Sequence, residues 1–514
     1  MVQRLHRGFA LAGCLISMAA SAAPAATEPR LPLQWIDTDQ PAPTGRTFRV
    51  ADGADFQRAL NEASPGDAIA LDVHGIYLGP FTLPRKNGGG WITIRSAEDA
   101  RLPLPGTRVD PSSAPLMPKL IAAGGPAIQA APGAHHYWLV GIELRPKEGA
   151  FVYNLVELGD SGMSTREVPH HFTFARCYLH GDPDKGARRG IAMNSAHTAV
   201  LDSYLADFKE VGADSQAIAG WSGPGPFKVA NSHLEASGEN ILFGGADPPS
   251  PSRIPSDIEI SGNRFVKPLS WRLGEPAYAG TPWTIKNLFE LKNARRVLIQ
   301  DNLFEHNWVH GQNGFAILFT VRNQEGTAPW SVVEDVTFAG NVVRSAASAI
   351  NILGRDDSQA SGSAQTRRIA IRNNLFVDTG GARWGGSGTL FQILDGTADV
   401  VVESNTAFQT GNIVMAEGAP HTGFVFRKNL ALHNLYGIAG TGTAAGIPTL
   451  AAYFPGALVA DNVFIGGDPA RYPRGNLFAS SVAQVFGAPG AHLSPRAPYS
   501  AAGAEGLSAL ASRP

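Results

Sequence analysis

Two cations occupy alternating positions in successive apolar segments near the middle of the chain. Lys292 follows the run 289–291, and Arg322 follows the run 315–321. Side chains alternate across a β-strand, so burying the apolar residues of each run directs both cations outward. Fixed positive charge beside a carboxylate stabilises the carbanion-like state that forms when the neighbouring carbon loses a proton. We therefore predict Lys292 and Arg322 as catalytic residues, with His310 as a further candidate.

Aromatic and polar residues lie on either side of these cations in the sequence. Aromatic rings suit sugar faces, and guanidinium groups pair with carboxylates. The predicted substrate-binding residues are Trp271, Arg272, Trp308, Gln312 and Arg355. A packing role for the tryptophans and a loop role for His310 stay open as alternatives.

Acidic side chains in the same region are candidate metal ligands. Calcium prefers several oxygen ligands, and Glu239, Asp247 and Glu290 are the nearest carboxylates that the predicted strands offer. Asn240 is expected beside them on the outer face. Their spacing does not match a calcium-binding loop, and a surface ion pair between Glu290 and Lys292 is the alternative. A bound Ca²⁺ is thus a possible cofactor.

A short repeat positions these residues. It consists of β-branched or aromatic residues, a turn residue, a residue that is most often Asn, and two apolar positions. The key position falls at 177, 203, 232, 263, 302, 341, 374, 405, 429 and 462. A period near thirty with variable insertions indicates a solenoid in which each coil stacks on the next, and stacked asparagines can bond to each other.

Between key positions lies a second short apolar strand, such as 239–243 or 348–353. Because no helical pattern separates these strands, a parallel sheet needs coils of strands joined by turns. The pattern predicts an all-β fold: a single right-handed parallel β-helix of about ten coils. An amphipathic helix over 55–63, ending at Ser64-Pro65-Gly66-Asp67, is predicted to cap its N-terminal end.

These Asn-bearing coils, the helix near the N-terminus and the Ser-Pro-Gly-Asp-Ala-Ile segment that leads into the first strand resemble the pectate-lyase-like superfamily of right-handed β-helix proteins. That resemblance spans about residues 47–465 and implies a polysaccharide lyase or hydrolase, since most members are such enzymes. No Gly-His-Gly element like that of polygalacturonases is present, although Arg355-Asp356-Asp357 is similar to their paired aspartates.

The ends of the chain predict export. Basic residues, an apolar run and small residues mark 1–25 as a signal peptide, followed by a linker (26–46), the β-helix domain (47–470) and an Ala/Gly/Pro-rich tail (471–514). Because the apolar run continues past Cys14, a secreted or periplasmic protein is favoured over a lipoprotein. A net charge of -2 gives no reason to expect nucleic-acid binding, and no segment predicts a membrane span.

Together these features predict a secreted or periplasmic carbohydrate-active protein. The favoured reading is a lyase that cleaves a uronic-acid-containing polysaccharide by β-elimination. The alternatives are a glycoside hydrolase that uses Asp356, Asp357 or another carboxylate pair, and a non-catalytic glycan-binding or surface-structural β-helix. The sequence does not identify the polysaccharide or the oligomeric state.

Overall fold

A computed structural model describes residues 26–487 and 494–512 of the chain. The predicted signal peptide lies outside these residues. The described chain is all-β and forms three parallel sheets of 14, 12 and 14 strands. From Ala68 to Gly440 each turn of the chain contributes one strand to each sheet, which confirms a single right-handed parallel β-helix.

The first sheet, sheet A, contains the strands Thr47–Val50, Ala68–Leu71, Ile92–Ser96, His135–Val140, His170–Ala175, Ala196–Leu201, Phe227–Ala230, Ser256–Ser261, Ala294–Gln300, Val333–Ala339, Arg367–Arg372, Ala398–Glu403, Val425–Arg427 and Leu458–Ala460. Sheet B contains Ile76–Leu78, Lys119–Ala122, Glu143–Pro146, Tyr178–His180, Tyr204–Phe208, His233–Ala236, Arg264–Val266, Leu303–Asn307, Val342–Ala346, Leu375–Thr379, Thr406–Gln409, Leu430–Leu432, Val463–Ile465 and Leu477–Ala479. Sheet C contains Phe81–Leu83, Ile128–Ala130, Asn154–Leu158, Arg189–Met193, Gln216–Gly220, Glu239–Phe243, Phe289–Leu291, Phe315–Thr320, Ser348–Leu353, Phe391–Leu394, Val414–Glu417 and Ile438–Gly440.

The turn between sheets A and B carries the predicted asparagine ladder. Along this column the Oδ1 of each Asn after Asn263 accepts from the backbone N–H and the side-chain amide of the Asn one coil earlier; for Asn341 the two distances to Asn302 are 2.9 and 3.0 Å. Ser232, Ser203 and Cys177 extend the column toward the N-terminus. The ladder asparagines are Asn263, Asn302, Asn341, Asn374, Asn405, Asn429 and Asn462. All ten predicted key positions therefore stack.

The sequence undercounts the coils. Fourteen strands line sheet A where about ten coils are predicted, because the coils before Cys177 lack the Asn-bearing motif. Apolar side chains from all three sheets fill the interior as one continuous core. Cys177 belongs to that core, and burial raises the pKa of its thiol to about 12.

A helix lies beside the first strands. Helix Gly53–Glu62 begins at Asp52, whose carboxylate accepts from the N–H groups of Ala54 and Asp55. Phe56 is buried, with its ring 4.7 Å from that of Phe81 between centroids. The helix is present over the predicted segment; its role as a cap stays a prediction. The other helices are Ile447–Tyr453, Val482–Phe486 and Leu507–Ala511, with short 3₁₀ turns at Asp99–Arg101, Pro111–Leu116, Pro251–Arg253, Leu269–Trp271, Pro469–Arg471 and Tyr499–Ala501.

Both predicted flanking segments contact the β-helix. In the predicted linker, Arg30 donates two side-chain hydrogen bonds to Asp335 of sheet A, at 3.0 and 2.8 Å. In the predicted tail, Phe486 and Tyr499 are buried in an apolar cluster on the outside of sheet B. Among the described residues, no helix has the length and hydropathy that crossing a bilayer requires.

Candidate functional site

The candidate site lies on the outer face of sheet C. Phe289, Ile317 and Ile350 are buried in the core and pair in register across three consecutive coils. The alternation of the strands therefore sends Lys292 outward, as predicted. The backbone N–H of Arg322 bonds to the carbonyl of Lys292 at 2.9 Å, so these two residues lie side by side on neighbouring coils.

A cleft of about 280 Å³ opens on this face. It brings together Lys292, Arg322, Glu290 and Gln312 from the predicted set. The residues that line this Lys292 cleft are Glu290, Lys292, Gln312, Asn313, Phe315, Leu318, Thr320, Arg322, Asn351, Leu353 and Leu394. The cleft is lined by two cationic side chains, one carboxyl group, several side-chain amides and apolar side chains.

Glu290 is the acidic group of the cleft and is almost fully buried. Asn287 Nδ2 donates to it at 3.1 Å and Thr320 Oγ1 at 3.3 Å, while Lys292 Nζ is 3.9 Å away. Burial raises the pKa of the Glu290 carboxyl, Lys292 opposes that rise, and the charge of Glu239 adds to it. Asn287 and Thr320 thus hold the Glu290 carboxyl in place by hydrogen bonds, and burial shifts its equilibrium toward the neutral form.

Arg322 keeps most of its hydrogen-bonding capacity free for a ligand. Its side chain is 40% exposed, and its contact with Asp356 is a single 3.4 Å approach. Asp356 itself is buried and accepts from Ser358 and from the Asn323 N–H. Although burial acts to raise it, the pKa of the Asp356 carboxyl is lowered because of these hydrogen bonds. Asp356 therefore anchors the loop beside Arg322.

Two amide oxygens near the cleft lack partners among the described residues. Asn351 donates to Gln392 at 2.7 Å, but its Oδ1 is buried and unpaired. Asn287 donates to Glu290 and Gln312, and its Oδ1 is likewise unpaired. Buried polar atoms normally have a hydrogen-bond partner, so a ligand with hydroxyl groups fits these positions.

The other predicted residues group in a second cleft of about 310 Å³, the tryptophan cleft. It contains Trp271, Arg272, Trp308 and His310. Both predicted tryptophans are buried against Trp384 in one apolar cluster, which leaves little of either ring face for a sugar. The residues that line the tryptophan cleft are Trp271, Arg272, Leu273, Tyr278, Pro282, Trp308, Val309, His310, Ala382, Arg383, Trp384 and Gly385.

Arg272 and His310 in the tryptophan cleft each contact a neighbouring residue. Arg272 pairs with Glu275 at 2.7 Å and stacks over the ring of Trp384. Nδ1 of His310, which is exposed, accepts from the Ile285 N–H at 3.2 Å. His310 therefore lies apart from Lys292, in the neighbouring cleft.

The predicted calcium ligands do not fit a calcium site. Glu239 accepts from Gln216 and pairs with Lys286 at 3.0 Å, whereas Asp247 accepts three hydrogen bonds from Glu325 and Thr327 of a loop. Over residues 26–487 and 494–512, these carboxylates and Glu290 do not gather their oxygens as a metal would require. Two of the three carboxylates lie next to a lysine instead.

Two further expectations change once the strands are in place. Asn240 points into the core, where its amide donates to the carbonyls of Leu234 and Val266, because the second and third residues of this strand, Asn240 and Ile241, both face inward. Arg355 is exposed and does not line the Lys292 cleft.

Several residues of the two clefts were not anticipated. Asn313 enters the Lys292 cleft from the turn before its strand, and Trp384 comes from a later coil. Asn287 lies in a segment that the sequence predicts only as a strand, without a role for this side chain. Turns between sheets B and C vary in length, so alternation within strands carries no signal for them.

Comparison with known proteins agrees on the fold. No protein-family model matches the chain, and no curated protein matches it. Among solved structures, the catalytic unit of a GH87 α-1,3-glucanase from Streptomyces thermodiastaticus is similar at 13% identity over 87% of this chain and 72% of that one, with a TM-score of 0.52. An alginate lyase from a Paenibacillus species is similar at 15% identity over 77% and 98%, with a TM-score of 0.35.

A mannuronic-acid-specific family 6 lyase from human gut microbiota has 11% identity over 84% of this chain and 91% of that one, with a TM-score of 0.40. At these identities the likeness shows the fold alone. The chain is a right-handed parallel β-helix, and the solved structures similar to it include an alginate lyase, a family 6 lyase and an α-1,3-glucanase.

Proposed function

We propose that the protein is a polysaccharide lyase that cleaves a uronic-acid-containing polysaccharide by β-elimination in the Lys292 cleft. One observation carries the proposal: Lys292 and Arg322 lie side by side on the outer face of sheet C and line one cleft with amide groups. Sheet C runs along the solenoid as a row of coils about 4.8 Å apart, a surface that suits an extended chain. The signal-peptide pattern of residues 1–25 supports action outside the cytoplasm.

In this proposal Arg322 neutralises the sugar carboxylate. Its exposed guanidinium can form paired hydrogen bonds to that group, which stabilises the negative charge that develops on proton loss. Lys292, as the neutral amine, takes the proton from the carbon beside the carboxylate and becomes the ammonium ion. The electrons of that C–H bond form the ring double bond, the bond to the glycosidic oxygen breaks, and the leaving oxygen takes up a proton from water.

The composition of the cleft favours elimination over hydrolysis. Glycoside hydrolases generally use two carboxyl groups on opposite sides of the scissile bond. Among the described residues that line the Lys292 cleft, Glu290 is the only carboxylate. Asp356 is committed to its loop and Asp357 is exposed, so the predicted hydrolytic pair does not face the cleft.

A direct assay tests the proposal. The protein is incubated with pectate, alginate or glycosaminoglycans, and ultraviolet absorbance and reducing ends are followed with and without a chelator. We expect new absorbance from a double bond conjugated to the carboxylate, and we expect it to persist in chelator because cationic side chains neutralise the substrate.

Each other outcome overturns part of the proposal. Reducing ends without absorbance indicate hydrolysis. Binding without any product indicates a non-catalytic glycan-binding protein. Activity that disappears in chelator and returns with Ca²⁺ contradicts the role given to Arg322.

A further inference from the structure

Histidines crowd together on sheet A, on a different sheet from the Lys292 cleft. They lie at the start of three consecutive strands, His135–Val140, His170–Ala175 and Ala196–Leu201, with His170 paired in register to His135. All five are half-buried. The members of this histidine cluster are His135, His136, His170, His171 and His197.

The rings form two stacked columns. His135 stacks on His170 with ring centroids 5.0 Å apart, and His136 stacks on His171 at 4.3 Å. His197 continues the second column at 4.3 Å from His171. Left-handed backbone at His136 and His171, with φ of 61° and 60°, turns each of them to the same side as the histidine before it.

Ring nitrogens converge between the columns. Single side-chain nitrogens of His136, His170 and His171 all lie within 4.8 Å of one another. His170 Nδ1 and His171 Nδ1 are 2.7 Å apart. Around a tetrahedral zinc ion with bonds of about 2.0–2.1 Å, ligand nitrogens are about 3.3 Å apart, so small side-chain movements reach that geometry.

The surroundings prepare lone pairs for a cation. His135 Nε2 lies 2.9 Å from the Lys86 carbonyl, which can only accept, so Nε2 carries the His135 proton and Nδ1 accepts from His136 Nδ1 at 2.8 Å. The neutral His136 ring then has its lone pair on Nε2. His197 Nδ1 is buried and has no hydrogen-bond partner among the described residues.

We propose that His136, His170 and His171 bind one divalent transition-metal ion of the class that prefers imidazole, such as Zn²⁺. Imidazole nitrogens select zinc, copper or nickel, whereas Ca²⁺ requires oxygen ligands that this ligand set does not contain. The ion joins two successive coils of sheet A. This site does not depend on the proposed lyase activity.

The probe is Zn²⁺ itself, added to tag-free full-length protein after dialysis against a chelator. Calorimetry should give one Zn²⁺ per chain, and thermal melting should shift upward with Zn²⁺ but not with Ca²⁺. Co²⁺ in place of Zn²⁺ should produce the visible absorption of a nitrogen-bound ion. A protein that binds no Zn²⁺, or gains equally from Ca²⁺, contradicts the proposal.

Variants locate the site. His171→Asn keeps a residue that tolerates left-handed backbone, and His170→Gln tests a second ligand if the first variant does not fold. Each folded variant should bind Zn²⁺ at least about tenfold more weakly and lose the thermal shift. His74→Asn, at an exposed turn, is the matched control. Unchanged binding in both cluster variants, or lost binding in the control, overturns the assignment.

Discussion

The β-helix carries one column of stacked polar side chains inside and another outside, and the two differ in how completely they are bonded. In the internal ladder, Asn341 accepts two hydrogen bonds from Asn302 and donates to Ile299 and Asn374. On the outer face of sheet C, a chain of contacts links Arg189, Gln216 and Glu239 in the same coil-by-coil manner.

The Lys292 cleft lies at a neighbouring register position on the same face, where Leu242 pairs with Glu290 and the bonded polar column of Glu239 does not continue. Leu318 stands between Glu290 and Asn351 in the register, and the Oδ1 atoms of Asn287 and Asn351 have no partner among the described residues. The amides of the inner column thus have partners on neighbouring coils, whereas the two Oδ1 atoms beside the cleft have none among the described residues.

The largest effect is expected in the Lys292 cleft. Lys292→Ala should lower kcat/KM for elimination by about 10²–10⁴-fold, because a positioned base contributes about that much. Absorbance of the unsaturated product measures the rate. Lys185→Ala, at an exposed loop lysine, is the matched control and should retain activity. Near-normal rates in the Lys292→Ala protein would contradict the proposed role of Lys292 as the base.

Breaking the inner column should instead lower stability. Asn341→Ala leaves the Asn302 backbone N–H buried without its acceptor and removes one partner of the Asn302 amide. We expect the free energy of unfolding to fall by about 3 kcal/mol, from chemical denaturation, since each unsatisfied buried group costs about 1–3 kcal/mol. Wild-type stability in this variant would mean that the ladder is not a major source of stability.

These two columns were not equally visible in the sequence. The ladder repeats a local motif, so its ten key positions follow directly from the pattern. The outward direction of Lys292 and Arg322 also follows from alternation within strands. The inward position of Asn240 does not, because Asn240 and Ile241 face inward in succession and break the alternation of the strand.

Contacts that involve turns or distant coils are even harder to predict from the sequence pattern. The approach of Trp384 to Trp308 joins separate coils, and no short-range period encodes it. The histidine cluster did leave a trace: His-His pairs at 135–136 and 170–171 are separated by 170 − 135 = 35 residues, close to one repeat. A repeat defined without the asparagine therefore predicts that these two histidine pairs lie on successive coils.

A smaller effect is expected from the asparagine on the outside. Asn351→Ala removes a single 2.7 Å hydrogen bond to Gln392 at the edge of the cleft. The free energy of unfolding should fall by less than about 1.5 kcal/mol. KM for the cleaved polysaccharide should rise about tenfold if the free Oδ1 binds a sugar hydroxyl, which corresponds to about 1.4 kcal/mol. If stability falls as far as in Asn341→Ala, the contrast between the columns is wrong.

The smallest effect concerns the charge of Glu290. Its pKa is raised in the folded state, so the fold binds more protons there than the unfolded chain does, and this group costs stability as pH rises above its ordinary value of 4.5. Glu290→Gln should therefore melt at a higher temperature than the wild type at pH 8, with little difference at pH 4. Glu62→Gln, on the exposed face of the first helix, is the control and should change little at either pH. A Glu290→Gln protein that is less stable at pH 8 would show that the ion pair with Lys292 outweighs the cost of burial. Glu290 would then stabilise the fold, as the asparagines of the inner column do.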